Sequence, residues 1–180
     1  MIRRFPFSQD DGKDDVKKRL NSWIEKQNLT EEETCSALEA ILNQRKNIVL
    51  VKKNAKKAGL RLERFISNNA LEIYYDILIQ DRAVGYISKG WTDPGFRVGE
   101  YFELEKGIPS FKEKFYKIFK VCSGNLISLS VSEKTPGKIG VSLEIAIYKD
   151  GFNEKVLKEV VGTLESTMRK INLLLGDCGD

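Results

Sequence analysis

Apolar residues first recur with helical spacing near the N-terminus. Val16, Leu20, Trp23 and Ile24, with Gln27, fall on one stripe at i, i+4, i+7, i+8 and i+11, which predicts an amphipathic helix. Asn28-Leu29 interrupts it, and Thr30-Glu31-Glu32-Glu33 supplies a capping box for a second helix. In such a box the threonine hydroxyl accepts from the Glu33 amide while the glutamate reaches back to the Thr30 amide. Cys35, Leu38, Ile41 and Leu42 carry the apolar side of this second helix. Together these residues predict an N-terminal helical pair over 1–44, an appendage to an α+β domain over 45–180. Asn47–Val51 suits a strand or a buried helix equally. Ile48, Val51, Ala55 and Ala58 align on one helical face, and Gly59 stands where a left-handed residue would end it, so helix is the expectation.

From Leu60 the period becomes two. Leu60–Ile66 reads as a strand, and Leu71, Ile73, Tyr75, Ile77 and Ile79 alternate with Glu72, Tyr74, Asp76, Leu78 and Gln80 in a second. Asp81-Arg82 predicts a tight turn into Ala83–Ser88. Pro94-Gly95 fits the central positions of a type II turn before a strand over Arg97–Leu104. Ser110-Phe111-Lys112-Glu113 reads as a second capping box, opening a helix with Phe111, Phe115, Ile118, Phe119 and Cys122 on its apolar stripe and Gly124 at its end. Ile127–Val131 and Ile139–Ile147 alternate on either side of Thr135-Pro136-Gly137-Lys138, a hairpin. Asn153 caps a last helix whose stripe runs from Leu157 to Leu174 and ends at Gly176, with Phe152 placed to staple onto Leu157. Its seven-residue spacing spans too few heptads for a coiled coil, so packing on the sheet is expected.

Composition narrows the chemistry. At 180 residues, 41% hydrophobic and 31% charged, the chain has the make-up of one globular domain. It lacks an apolar run of the roughly 20 residues that a membrane-spanning helix needs. Arg3-Arg4 is followed by Asp10, Asp11, Asp14 and Asp15 rather than by an apolar segment, so no secretory signal is expected and a cytoplasmic location is. Cys35, Cys122 and Cys178 form no paired motif. Cys35 and Cys122 are expected as small buried hydrophobes and Cys178 as exposed. The chain contains no histidine, which removes histidine-based zinc sites and Ser-His-Asp or Cys-His catalysis. No catalytic residue, metal site or cofactor is therefore expected.

The order helix, three or four strands, helix, hairpin, long terminal helix resembles the type III secretion chaperone-like fold and its bacterial sensory transduction regulator relatives. Ala58-Gly59-Leu60 before the first strand, the Phe111–Gly124 helix, the Ile127–Ile147 hairpin and the Phe152–Leu175 helix carry the likeness, over about two thirds of the chain. The resemblance implies an antiparallel sheet, meander plus C-terminal hairpin, covered by helices. It also implies a non-enzymatic, usually homodimeric protein that binds segments of partner proteins. Secretion chaperones tend to be acidic, whereas this chain carries a formal net charge of +4.

Two surfaces are candidates for function. Trp91, Asp93, Phe96 and Arg97 cluster in the Gly90–Gly99 loop, where aromatic rings beside arginine can form a protein-binding hot spot; the alternative is that the rings fold back onto the core. Arg45–Arg64 holds eight basic residues against Glu63 alone. Lys52, Lys53, Lys56 and Lys57 within it could track nucleic-acid phosphates, or could form an ordinary solvated face. Glu103 and Glu105 share a strand face, and solvation is the expected role for both. Gly137-Lys138 lacks the spacing of a phosphate loop and is expected as a turn. Val84, Tyr86, Trp91 and Phe96 have no assigned cover, which makes a homodimer through that patch the expectation. The expected function is a protein-interaction module of chaperone-like or adaptor type; the alternative is a nucleic-acid-binding protein.

Overall fold

The computed structural model describes residues 18, 21–22, 25–26, 28, 30–64, 73–90 and 93–176. Within them, α1 (Glu31–Lys57) leads into four strands, β1 (Arg61–Arg64), β2 (Ile73–Ile79), β3 (Arg82–Lys89) and β4 (Gly95–Glu105). Helix α2 (Phe111–Gly124), the hairpin β5 (Ser128–Thr135) and β6 (Lys138–Tyr148), and helix α3 (Glu154–Leu175) follow. The strands form one antiparallel sheet in the order β1-β2-β3-β4-β6-β5. This is the expected α+β class: a meander joined to a C-terminal hairpin, with helices against the sheet.

Helix α1 begins where the sequence places it. The Thr30 side chain accepts from the Glu33 amide at 3.2 Å, and the Glu33 carboxylate accepts from the Thr30 amide at 2.9 Å. The helix then runs without a break through residues 44 and 45, so the boundary expected there falls inside one continuous element. Of the stripe expected ahead of that boundary only Ile41 is buried; Leu38 and Leu42 are exposed, as is Cys35. The buried face runs instead through Ala37, Ile41, Gln44, Asn47, Val51, Asn54 and Ala55. Three amides take up core positions, and Asn54 makes this possible by donating to the Phe152 carbonyl at 3.2 Å. Gly59 adopts φ +75° and ends the helix. The stripe of the preceding helix, at Val16, Leu20, Trp23, Ile24 and Gln27, lies outside the described residues, as does Cys178.

Three local expectations need correction. Ser110 sits in the left-handed region (φ 57°) and makes no side-chain cap; Glu113 pairs instead with Lys117, one turn on, at 2.7 Å. The turn after β2 centres on Gln80-Asp81, both with positive φ, one residue earlier than expected. Gly95 is not a turn residue with positive φ. It opens β4, where an added Cβ would lie 2.2 Å from the Ile147 carbonyl oxygen; close strand approach is what selects glycine there. The Pro136-Gly137 turn and the Asn153 cap form as expected: Asn153 Oδ1 accepts from the Lys155 and Val156 amides at 3.0 Å.

The strand register defines two unlike faces. Tyr75, Ile87, Val98 and Ile145 lie in one row facing the helices. Helix α3 packs Leu157, Val160, Val161, Leu164, Met168 and Ile171 against this side. Each such side chain contributes about 1.5–3 kcal/mol by leaving water. Helices α1, α2 and α3 all contribute residues to the core cluster on this side, and the opposite face carries the polar strand positions.

Candidate functional site

The Gly90–Gly99 segment turns out to be fastened to itself. Asp93 accepts from the Gly90 amide at 3.0 Å and pairs with Arg97 at 3.0 Å. The Lys89 ammonium, from a residue only 4% exposed, donates to the carbonyls of Gly90 and Asp93. Its burial holds the Lys89 pKa below the usual lysine value, against the opposing pull of Asp93. Phe96 is wholly buried, its ring centroid 4.1 Å from that of Phe152. Asp93 and Arg97 therefore come together as a loop clasp, Phe96 belongs to the core, and Trp91 lies outside the described residues. Val84 and Tyr86 are also buried within the single chain. Val84, Tyr86 and Phe96, the described members of the patch that motivated a homodimer, thus expose little apolar surface.

Lys52, Lys53, Lys56 and Lys57 are all exposed on α1. Lys52 and Lys56 line a cleft of about 510 Å³ together with Ala55, Gly59, Leu60, Arg61, Leu62 and Tyr75. The Lys52 ammonium stands 5.8 Å from the centre of the Tyr75 ring.

The opposite sheet face carries a third constellation. The register aligns Glu63, Asp76, Tyr86, Gly99, Glu144 and Ser128 in one row across all six strands. Tyr74 stacks on Tyr86 with ring centroids 5.1 Å apart. The Tyr86 hydroxyl donates to Glu144 at 2.7 Å, and burial followed by this bond pushes its pKa far above the usual tyrosine value. Tyr74 is raised by burial and by Asp76 and Glu144. Burial and the neighbouring Glu63 raise the Asp76 carboxyl. Two rings lie across strand glycines. A Cβ on Gly99 would meet the Tyr86 ring at 2.7 Å, and one on Gly140 would meet the Tyr101 hydroxyl at 2.6 Å. Tyrosine rings thus cover the backbone the glycines leave bare, which also holds the rings flat.

The charge of this face is biased. Among the described residues, its cations Arg61, Arg97 and Lys138 pair with Asp81, Asp93 and Glu105, the last at 4.0 Å. Glu103 accepts from the Tyr101 hydroxyl at 3.2 Å and is exposed, in keeping with a solvated role. Glu63, Asp76 and Glu144 remain as an acidic row on a protein of net charge +4. Tyrosine and glycine on the polar side of strands look like ordinary alternation, so the sequence alone does not single this row out. Its signal is nonetheless present in Tyr74, Tyr86, Tyr101 and Tyr148, four of the six tyrosines, all on polar strand positions.

The described residues hold no cluster of metal-ligating side chains, and no helix among them is long and apolar enough to cross a membrane. Neither a family model nor a curated protein matches the sequence. Among solved structures, the crystal structure of an uncharacterised protein from Methanothermobacter thermautotrophicus is similar, with a TM-score of 0.57 and 10% sequence identity over 71% of this chain and 95% of that one. At that identity the likeness concerns the fold alone.

Proposed function

We propose that this protein is a non-catalytic interaction module whose polar sheet face receives a basic segment of a partner protein. The observation that supports this is the row of Glu63, Asp76, Tyr86 and Glu144 on the sheet face opposite the core cluster. Of the rings on this face Tyr74 is half-buried and Tyr101 exposed, and rings bounded by carboxylates attract lysine and arginine through ring quadrupole and charge together. A second copy docked face to face would set acidic row against acidic row, which is costly. The chaperone-like character comes from element order alone.

Fluorescence anisotropy with a labelled peptide of alternating Lys and Val tests the proposal. Wild-type protein binds it, and the Glu63→Gln, Asp76→Asn, Glu144→Gln triple variant binds at least about tenfold more weakly, a loss of about 1.4 kcal/mol. Each substitution keeps side-chain shape, and the amide introduced in place of the Glu144 carboxylate still accepts from Tyr86, so the fold is retained. Affinity unchanged in the triple variant sinks the proposal.

A nucleic-acid reading draws on the exposure of Lys52, Lys53, Lys56 and Lys57. It requires binding to single- or double-stranded oligonucleotides that falls steeply with salt. Undetectable binding at about 50 mM salt, where the electrostatic attraction is strong, removes it.

A further inference from the structure

A separate surface has the opposite charge. Strand β1 stands at one edge of the sheet, and the cleft of about 510 Å³ runs between it and the C-terminal turns of α1. Edge strands offer one row of backbone donors and acceptors to an incoming strand. Here the floor beside that edge is apolar: Ala55 and Leu60 are buried, and Leu62 is half-buried. Lys52 and Lys56 supply a basic rim, while Arg61, also in the lining, is paired with Asp81. We propose that this cleft takes an acidic, extended segment of a partner protein, added alongside β1 as a further strand.

The register sets the pattern the segment must have. Leu62 faces the helices and Arg61 and Glu63 face away, since they pair with Ile77, Leu78 and Asp76 respectively across β2. An added strand therefore turns an apolar residue toward Leu62 and the cleft floor, carries its acidic residues two positions to either side on that same face, toward Lys52 and Lys56, and keeps neutral residues beside Arg61 and Glu63. Four residues of β1 are about 13 Å long, so pairing involves four or five residues of the partner. Strand addition of this kind gains affinity from the main chain and selectivity from alternate side chains. A nucleic-acid strand fits less well. Single strands are held by stacking on exposed rings, whereas Tyr75 is 4% exposed, and Lys53 and Lys57 lie outside the cleft lining.

The test is anisotropy with a labelled peptide of the pattern Thr-Glu-Thr-Val-Thr-Glu-Thr-Val, about eight residues long so as to overlap the edge fully. Its controls are a Lys/Val counterpart and a single-stranded oligonucleotide. The acidic peptide binds, and Lys52→Glu with Lys56→Glu weakens it at least about tenfold. Both lysines are exposed, and circular dichroism confirms the fold of the variant. N-methylation of one alternating set of peptide amides abolishes binding and methylation of the other set leaves it, because an added strand pairs along one edge only. The Glu63→Gln, Asp76→Asn, Glu144→Gln variant binds this peptide no more weakly than wild type, which separates the cleft from the open face. The proposal is overturned by absence of binding, by indifference to both methylation sets, or by an oligonucleotide that binds more tightly and shows the same lysine dependence.

Discussion

Glu100 lies in the middle of β4 on the helix-covered side of the sheet, opposite Leu143. Its Oε2 is buried and has no hydrogen-bond partner. Burial, and then the Glu165 carboxylate on α3, raise its pKa from 4.5 to about 7, against the opposing pull of Arg82. The folded protein thus holds this proton more tightly than the unfolded chain does. The resulting stabilisation is complete below about pH 4.5 and is lost as pH rises through about 7. At 1.36 kcal/mol per unit the full shift corresponds to about 3 kcal/mol, and solvent screening of this half-buried side chain reduces that to about 1–2 kcal/mol. Glu100→Gln removes the ionisation while keeping the shape. Urea melts followed by circular dichroism are expected to show no difference near pH 4.5, and a gain of about 1–2 kcal/mol near pH 8.5. The melting temperature at the higher pH rises by about 3–6 °C. Equal effects at the two pH values, or a loss at the higher one, refute the reasoning.

Other perturbations probe the open face and its supports. Gly99→Ala forces a Cβ to within 2.6 Å of the Leu143 carbonyl oxygen as well as against Tyr86; a loss of about 2–4 kcal/mol in urea denaturation is expected. Tyr86→Phe removes the 2.7 Å bond to Glu144 and costs about 1–2 kcal/mol by the same measurement. Lys89→Met keeps the apolar stem but withdraws the ammonium from the Gly90 and Asp93 carbonyls; amide exchange in the 89–97 segment quickens, with a stability loss of about 1–2 kcal/mol.

Where one rule dominated, the chain was legible. The capping box at Thr30, the Pro136-Gly137 turn, the Asn153 cap and the stripe of α3 each combine a local hydrogen bond or turn preference with an apolar period that agrees with it. Reading failed where two causes compete. Cys35, Leu38 and Leu42 look like a core stripe, but α1 buries Gln44, Asn47 and Asn54 instead, because tertiary partners such as the Phe152 carbonyl satisfy an amide that composition alone marks as exposed. Ser110 has the letters of a capping box, but its left-handed backbone leaves the side chain without a cap bond. Gly95 beside Pro94 reads as a turn because close approach of strands leaves no local mark. The loop residues expected as a binding site illustrate the same limit: Asp93, Phe96 and Arg97 are each engaged within the chain. The open face could be assembled only from register, since its row draws one residue from each of six strands.

Titration of nitrogen-15-labelled protein with the Lys/Val peptide, followed by two-dimensional amide spectra, tests the central claim most directly. The account predicts shifts concentrated at Glu63, Tyr74, Asp76, Tyr86, Gly99 and Glu144, with α2 and α3 unmoved. Shifts confined to the helices, or none at peptide concentrations of about 1 mM, contradict it.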